Sequence, residues 1–531
     1  MAHFYADIHC HSTTKPFYTQ KGPAEDRLDV FGFAQNKINS WLLSRLKSVL
    51  ENISEIRLST QANFDSLFEG GHRIAIVSLT PPETGFFVIN QKDDPAITDA
   101  LKTLVSIQEV PYTGTVKDGV VNALTGFSKE DIQFCKHAVK SYYQHLLKPE
   151  YEFLETFDGK KGKGGYTMKL VNSFGEIDAA LAADKSTLCI VLSIEGTHSL
   201  SLAPAYFDVM RNQTTSHKND ADNFTGLQDF ENNINDLKKW KHPPFCITLY
   251  HHQWNGLGGH ARSLNKLMST LINQEEGINL GLNALGKEVL KRLLSKENGK
   301  RILIDIKHMS PRSRKDYYNM LASDQISGGD TIPLICSHTG IVTKRSTIDE
   351  MIDLADNHDW EELAATDNYL HECSINLCAE DVKKIFDSKG LIGIQLDEKR
   401  IAGKEIIKII QKKEGVQVEE VNRQYACVVL GNLLRVVQII DQKEGWDILS
   451  IGSDFDGLIN HLDCCSSSVE VSKLEGFMLD VLNSGTDISQ AGFNYRLPAA
   501  EIQRLLFGLT PEEAMEKVFY KNAENFLRNN F

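Results

Sequence analysis

Two histidines near the start of the chain have the type and the spacing that can hold a metal ion. His9 and His11 lie in the segment Asp7-Ile8-His9-Cys10-His11, at the end of an apolar run. Alternate side chains of a β-strand share one face, so both imidazoles point the same way. Two imidazoles on one face can bind one divalent cation. Taken alone, this pair is equally compatible with a solvated strand end.

Imidazoles and acids also occur at the ends of five later apolar runs. They are Glu195 in Ser-Ile-Glu-Gly-Thr-His-Ser, His251 in Leu-Tyr-His-His, His308 in Asp-Ile-Lys-His, His338 in Cys-Ser-His and Asp454 in Gly-Ser-Asp-Phe-Asp-Gly. These side-chain types suit zinc or a similar first-row divalent ion. Their number suits two ions better than one. A carboxylate shared by two ions would leave room for a bridging water, whose pKa both ions would lower.

The elements that position these residues are eight short apolar runs separated by helical periodicity. Continuous apolar runs of this length are typical of parallel strands that are buried on both faces. The pattern predicts an α/β fold, a (β/α)8 TIM-type barrel whose active site lies at the carboxyl ends of the strands. The predicted strands are Phe4–Ile8, Arg73–Leu79, Leu188–Ile194, Phe245–Tyr250, Ile302–Ile306, Pro333–Ser337, Leu391–Leu396 and Ile448–Gly452.

The spacing of the strands is uneven, which predicts long insertions into the loops of a single domain covering residues 1–531. We place helical insertions at about 12–60, 95–180, 205–240 and 341–373. Apolar residues recur at helical spacing over Ile38–Ile53. Near the end of the chain, Thr510-Pro511-Glu512-Glu513 is a capping box that opens a helix with Met515, Val518 and Phe519 on one face.

Composition excludes some partners. The chain has 531 residues, 41% hydrophobic and 24% charged, with a net charge of -14. This balance argues against nucleic acid or an anionic membrane as a partner, because both require a basic surface. Ten cysteines without a C-x-x-C pair indicate reduced thiols rather than a zinc ribbon. The absence of a signal-peptide pattern and of a long apolar run leads us to expect a cytoplasmic protein that does not enter the membrane.

Taken in order, these motifs resemble those of the amidohydrolase superfamily, and within it most closely the membrane (renal) dipeptidase family of zinc peptidases. The Glu-Gly-x-His-Ser and Gly-x-Asp-Phe-Asp-Gly segments are the more specific matches. The resemblance covers all eight strands, roughly residues 4–528, but not the long insertions. It implies a hydrolase that uses two divalent metal ions, of the zinc type, to activate a water and cleave an amide or peptide bond in a dipeptide-like small molecule.

The resemblance also implies a role for each matched residue. Asp454 would shuttle the proton, and His251 would contact the substrate carbonyl and stabilise the tetrahedral intermediate. The implied metal ligands are His9 and His11 for the first ion, Glu195 as the bridge between both ions, and His308 and His338 for the second ion.

Two positions depart from the family pattern. The family has His-x-Asp where this chain has His9 and His11, so the site loses one negative charge. The family also carries an arginine that grips the carboxylate of the substrate, and Ile375 stands where that arginine is expected. Lys344, Arg345 or Arg400 are alternative cations, which the sequence does not place. Dipeptide specificity therefore stays open.

Two other functions remain alternatives. The segment Asp7-x-His9-x-His11-Ser12 also resembles the opening motif of PHP-type metal-dependent phosphoesterases, although the Glu195 and Asp454 motifs disfavour that family. A noncatalytic barrel that binds a partner through its insertions is the third interpretation. A homodimer is compatible with all three, and no segment of the sequence identifies an interface.

Overall fold

The fold is known from a computed structural model that describes residues 4–18, 30–32, 59–83, 131, 134–135, 141–201, 226–264, 274–323, 330–359, 365–412 and 417–531. The helix predicted over Ile38–Ile53, and parts of the insertions predicted at 12–60, 95–180 and 205–240, lie outside these residues. The strands are β1 Tyr5–Cys10, β2 His72–Leu79, β3 Thr167–Leu170, β4 Thr187–Glu195, β5 Cys246–Thr248, β6 Leu303–Asp305, β7 Ile335–Thr339, β8 Leu391–Ile394 and β9 Leu449–Ile451.

Eight of these strands follow one another around a parallel sheet in the order β1-β2-β4-β5-β6-β7-β8-β9. The sheet closes because the Asp454 N–H donates to His9 O at 2.9 Å and the His11 N–H donates to Phe455 O at 2.9 Å. The fold is therefore the predicted α/β barrel, and each predicted strand is confirmed within a few residues. Burial agrees with the continuous apolar runs, since all nine residues of β4 are buried.

One strand was not predicted from the sequence. β3 pairs in parallel with the first residues of β4, from Thr167 beside Thr187 to Leu170 beside Ile190. β5 pairs with a later part of β4, beginning at Ser193 beside Cys246. Only alternate residues of this four-residue strand are buried, so it lacks the continuous apolar signal of the barrel strands.

Helices separate most of the barrel strands. None of the helices in the described part of the chain is long and apolar enough to cross a membrane. The α-helices are Thr14–Tyr18, Phe64–Glu69, Lys148–Glu155, Phe174–Ala183, Leu227–Leu237, Ala284–Leu294, Pro311–Ala322, Ile348–Asp353, Ala379–Asp387, Glu398–Ile401, Lys404–Gln411, Val418–Ile440, Val471–Ser484, Ala499–Leu505, Pro511–Glu516 and Asn522–Asn530. Short π-helices are Tyr143–Leu147, Leu354–His358 and Lys517–Lys521. Short 3₁₀-helices are Thr197–Leu200, Lys443–Ile448 and Ser468–Glu470.

The predicted capping box near the end of the chain is confirmed. The Thr510 side chain accepts the N–H of Glu513, and the Glu513 carboxylate accepts the N–H of Thr510. Both bonds satisfy backbone groups that the first turn of a helix leaves unpaired. Met515, Val518 and Phe519 are fully buried, as the helical spacing predicts.

The Asp7 carboxylate holds β1 against the end of β9. Its Oδ1 accepts the N–H of His9 and the N–H of Ser453, each at 3.0 Å, and its Oδ2 accepts the Ser453 hydroxyl at 2.5 Å. Burial raises the pKa of Asp7 to about 6, although these hydrogen bonds oppose the shift. The contact fixes the two strands that carry His9 and Asp454 relative to each other.

A buried arginine fixes the loop that follows β7. Arg314 donates from Nη1 to Asn376 O and from Nη2 to Ser374 O, both at 3.0 Å. Its Nη1 also lies 3.3 Å from Asp381 Oδ2, and both side chains are excluded from water. This loop forms part of the wall at the barrel mouth, so the hydrogen bonds from Arg314 hold that wall in place.

We predict that Arg314→Met lowers the free energy of unfolding by about 3 kcal/mol, because it leaves Asp381 buried without its charge partner. The matched control is Lys315→Met in the same helix, whose Nζ pairs with Asp349 at 2.6 Å on the surface. That change should cost less than about 1 kcal/mol. Urea unfolding followed by circular dichroism measures both, and equal losses would contradict the structural role of Arg314.

Candidate metal centre

The seven residues singled out from the sequence meet at the carboxyl ends of the barrel strands. His9 lies in β1 and His338 in β7, while Glu195 is the last residue of β4. The others follow β1, β5, β6 and β9 by one to three residues. None of the seven is more than 9% exposed, so their charges and lone pairs face one another rather than water. They are His9, His11, Glu195, His251, His308, His338 and Asp454.

The Glu195 carboxylate lies at the centre of this group, and its two oxygens face different imidazoles. Oε1 is 3.2 Å from His308 Nε2 and 3.6 Å from both His338 Nε2 and His9 Nε2. Oε2 is 3.2 Å from His11 Nε2 and 3.4 Å from His251 Nε2. A buried carboxylate surrounded by imidazoles can share a divalent cation with them.

Three overlapping sets of three possible metal ligands have their ligand atoms within 4.8 Å of one another in the described part of the chain. They are Glu195, His308 and His338; His9, His11 and Asp454; and His9, Asp305 and His338. In the second set, Asp454 Oδ1 lies 3.1 Å from His11 Nε2 and 3.8 Å from His9 Nε2. The structure thus brings the sequence-derived ligands together and adds the Asp454 carboxylate to one set.

The donor atoms have the spacing of a metal site. Ligands that bind a tetrahedral ion at 2.0–2.2 Å lie about 3.4 Å from one another. Contacts among these nitrogen and oxygen atoms range from 3.1 Å, between His9 Nε2 and His11 Nε2, to 3.9 Å, between His338 Nε2 and Asp454 Oδ2. Five buried imidazoles around two carboxylates also match the nitrogen and oxygen ligands that zinc and related ions prefer. The residues present therefore fit a divalent metal centre.

Unusual backbone conformations aim two of these side chains into the centre. His308 and Asp454 have φ values of 66° and 60°, in the left-handed region that few residues other than glycine adopt. Each follows its strand by three residues, where the chain turns away from the barrel. Asp and His tolerate this region better than most side chains, and such strain is concentrated at functional sites.

Neighbouring hydroxyls and an amide orient the ligand rings. Thr80 Oγ1 lies 2.9 Å from His11 Nδ1, and Ser337 Oγ lies 3.2 Å from His9 Nδ1 and 2.8 Å from His338 Nδ1. In each case the contact engages Nδ1 and leaves Nε2 toward the centre, as in many metal-binding histidines. Gln395 Nε2 donates to Asp454 Oδ2 at 2.7 Å.

Glu83 is a site residue that the sequence reasoning missed. Its buried Oε2 lies 3.2 Å from His251 Nδ1, and its carboxylate accepts the N–H groups of His252 and Gln253. Burial would raise the pKa of Glu83, but the His251 imidazole outweighs that effect and the pKa is lowered. The acid follows β2 by four residues in a Thr-Pro-Pro-Glu segment without a recognisable motif. Its only signal was its place after a barrel strand.

A cavity opens beside the centre. Of the three cations considered in place of the missing arginine, Arg400 lines this cavity. Lys344 and Arg345 do not, and Lys344 instead pairs with Asp367 at 3.2 Å. Ile375, at the expected arginine position, is also part of the wall. Lys307, which directly precedes His308, lines the same cavity, and burial lowers the pKa of its ammonium group.

Comparisons with known proteins add similar structures but no family. No protein-family model matches the chain, and no curated protein matches it. The crystal structure of the dipeptidase AC, a metallopeptidase, has 11% identity and a TM-score of 0.48, covering 100% of this chain and 99% of its own. A metallopeptidase from Rhodobacter sphaeroides, liganded with a phosphinate mimic of L-Ala-D-Ala, has 12% identity and a TM-score of 0.47, with 100% of both chains covered.

A third solved structure is the probable dipeptidase PvdM from Pseudomonas aeruginosa. It has 14% identity and a TM-score of 0.42, and the match covers 99% of this chain and 95% of that one. The similar structures are thus dipeptidases and metallopeptidases. At TM-scores below 0.5 they carry no argument about the activity of this chain.

Gly196, which follows the central carboxylate, is a position where a side chain does not fit. Its φ is 95°, and a Cβ there would lie 2.3 Å from His198 Nδ1. We predict that Gly196→Ala costs about 1–3 kcal/mol of folding free energy. The control is Gly175→Ala, where the nearest atom is 4.0 Å away and the residue lies in the helix Phe174–Ala183. That change should stabilise the protein by up to about 1 kcal/mol.

The thermal unfolding midpoint measures both glycine variants under the same conditions. The expected result is a lower midpoint for Gly196→Ala and an unchanged or higher midpoint for Gly175→Ala. Equal midpoints would mean that the turn after β4 can relax around a side chain.

Proposed function

We propose that this protein is a metal-dependent hydrolase that cleaves an amide or peptide bond in a dipeptide-like small molecule. The observation that carries the proposal is the buried Glu195 carboxylate at the barrel mouth, whose two oxygens contact the Nε2 atoms of five histidines. Oε1 faces His9, His308 and His338, and Oε2 faces His11 and His251. Such a carboxylate suits two divalent ions. Nitrogen and oxygen ligands favour zinc or a close relative.

We infer that His9 and His11 would hold one ion and that His308 and His338 would hold the other, with the Glu195 carboxylate shared between them. When bound, two such ions lower the pKa of a water molecule and polarise a substrate carbonyl.

Asp454 is the proposed proton carrier. Its Oδ2 accepts a hydrogen bond from Gln395, which fixes the carboxylate, and its Oδ1 faces the imidazoles of the first set. From this position it takes the proton of the attacking water and returns it to the leaving nitrogen. The left-handed backbone at Asp454 keeps the carboxylate aimed at the centre.

His251 is the proposed electrophile. Its Nε2 faces the centre at 3.4 Å from Glu195 Oε2, and its Nδ1 lies 3.2 Å from the Glu83 carboxylate. The Glu83 charge stabilises the imidazolium form of His251. In that form, Nε2 donates a hydrogen bond to the carbonyl oxygen as negative charge develops there.

The test is elemental analysis of the purified protein combined with a substrate panel of dipeptides, N-acyl amino acids, lactones and p-nitrophenyl phosphate. We expect about two divalent ions per chain, and amide hydrolysis that is abolished by a chelator and restored by zinc. Turnover of the phosphate ester alone would favour the phosphoesterase. No hydrolysis together with a stable protein partner would favour the binding scaffold. The cytoplasmic location and the homodimer stay predictions.

We predict that Asp454→Asn lowers kcat by about 10²- to 10⁴-fold, because it removes the proton carrier while keeping a ligand oxygen. The metal content should stay near that of the wild type. Asp447→Asn, at an exposed acid paired with Lys517, is the control and should have normal kcat. Steady-state kinetics and elemental analysis measure these effects. A normal kcat in Asp454→Asn would refute the assigned role.

Glu195→Ala should lose metal, because the bridging carboxylate contacts both ligand sets. We expect the zinc content after dialysis to fall from about two ions to less than one ion per chain. Glu516→Ala, at an exposed acid paired with Lys521, should keep the full content. Elemental analysis measures both variants, and an unchanged zinc content in Glu195→Ala would place the bridge elsewhere.

A further inference from the structure

Lys307 is a buried cation that the proposed reaction does not use. Its side chain lines the cavity beside the centre, and the residue is 2% exposed. Within the described residues, Nζ has no hydrogen-bond partner. An uncompensated buried charge is costly, so a structure that places one in a cavity favours a ligand of opposite charge there.

The other charges of the cavity are already engaged. Lys15 pairs with Asp456 at 2.5 Å, and Glu83 pairs with His251. Asp454 lies within electrostatic reach of Lys307, but its two oxygens already contact His11 and Gln395. Lys307 is therefore the cation of this wall whose charge the described residues leave without a contact.

A second cation lies on the same side of the barrel. Arg400, in the short helix after β8, also lines the cavity. Its Nη2 donates to Ser263 O, and its Nε lies 3.8 Å from Asp397 Oδ2. Two basic side chains, Lys307 after β6 and Arg400 after β8, thus line the same cavity.

An acceptor on this wall complements the two cations. Gln395 donates its Nε2 to Asp454, and its Oε1 has no hydrogen-bond partner within the described residues. Apolar residues also line the cavity, among them Pro81, Pro82 and Leu458. The cavity thus offers both positively charged groups and apolar surface.

We propose that Lys307, supported by Arg400, binds a carboxylate of the substrate, so that this site selects amides carrying a free carboxylate. The proposal deepens the proposed function and rests on it for the position of the scissile amide. In this chain, residues at the ends of β6 and β8 then bind the substrate carboxylate. The loop after β7, which carries Ile375, does not. The uncharged part of the substrate lies against Pro81, Pro82 and Leu458.

The experiment compares a charged probe with its neutral analogue. Ala-Ala and Ala-Ala amide are offered to the zinc-loaded wild type and to Lys307→Met, Arg400→Met and Lys344→Met. Met has nearly the length of Lys without its charge, so Lys307→Met should fold, with an unfolding midpoint equal to or above that of the wild type. Lys344→Met is the matched control because Lys344 lies away from the cavity wall.

The wild type is expected to prefer the free carboxylate in kcat/KM. Lys307→Met should reduce that preference by about 10- to 100-fold through KM, since a hydrogen bond to a charged group is lost. Arg400→Met should also reduce the preference for the free carboxylate, and Lys344→Met should leave that preference unchanged. An unchanged preference in Lys307→Met, or a lost preference in Lys344→Met, would overturn the proposal.

A binding measurement separates this proposal from the proposed function. Calorimetry gives the Kd of N-acetyl-alanine and of its neutral amide for the zinc-loaded protein. We expect Lys307→Met to weaken binding of the acid by about 10-fold or more and to leave binding of the amide unchanged. Binding that depends on Lys307, without hydrolysis of any amide, would refute the proposed function while supporting the carboxylate site. No binding of the acid by the wild type would overturn the carboxylate site.

Discussion

A single buried carboxylate surrounded by imidazoles is the interaction on which the site depends. Glu195 has five histidine Nε2 atoms at 3.2 to 3.6 Å, contributed by residues at the ends of four other strands. A charge can be held away from water only when compensating groups are fixed around it. The closed barrel supplies that fixation, because the Asp7 carboxylate joins β1 to β9 and sets the distance between their ligands. The chemistry that we propose follows from this enforced closeness.

Several features around this centre are unfavourable for the stability of the folded protein. His308 and Asp454 have left-handed backbone, and the buried Lys307 Nζ has no hydrogen-bond partner among the residues that the structure describes. Each feature costs free energy in the absence of a ligand. The apolar strands and the buried Arg314 at the back of the site offset these costs. The same features keep the proposed proton carrier and ligands in one orientation, so less reorganisation is needed when substrate binds.

The sequence predicted most of the fold because strands buried on both faces leave long apolar runs. It also predicted which residues meet, since the carboxyl ends of parallel strands share one edge of the barrel. Contacts that depend on the path of a loop could not be predicted from the sequence. Glu83 reaches His251 across two loops, and Gln395 fixes Asp454 from the end of β8, where an amide side chain gives no metal-ligand signal. β3 has too few consecutive apolar residues to be recognised. The position of Lys307 was visible in the sequence, but only the structure shows that none of the described residues forms a hydrogen bond with its Nζ.

The measurement that most directly tests the central claim is anomalous X-ray scattering at the zinc edge from crystals of the zinc-loaded protein. The arrangement of ligands around Glu195 predicts two peaks at the barrel mouth, one on each side of that carboxylate and about 3.5–4 Å apart. A single peak, or no peak beside Glu195, would contradict a centre built on two bridged cations.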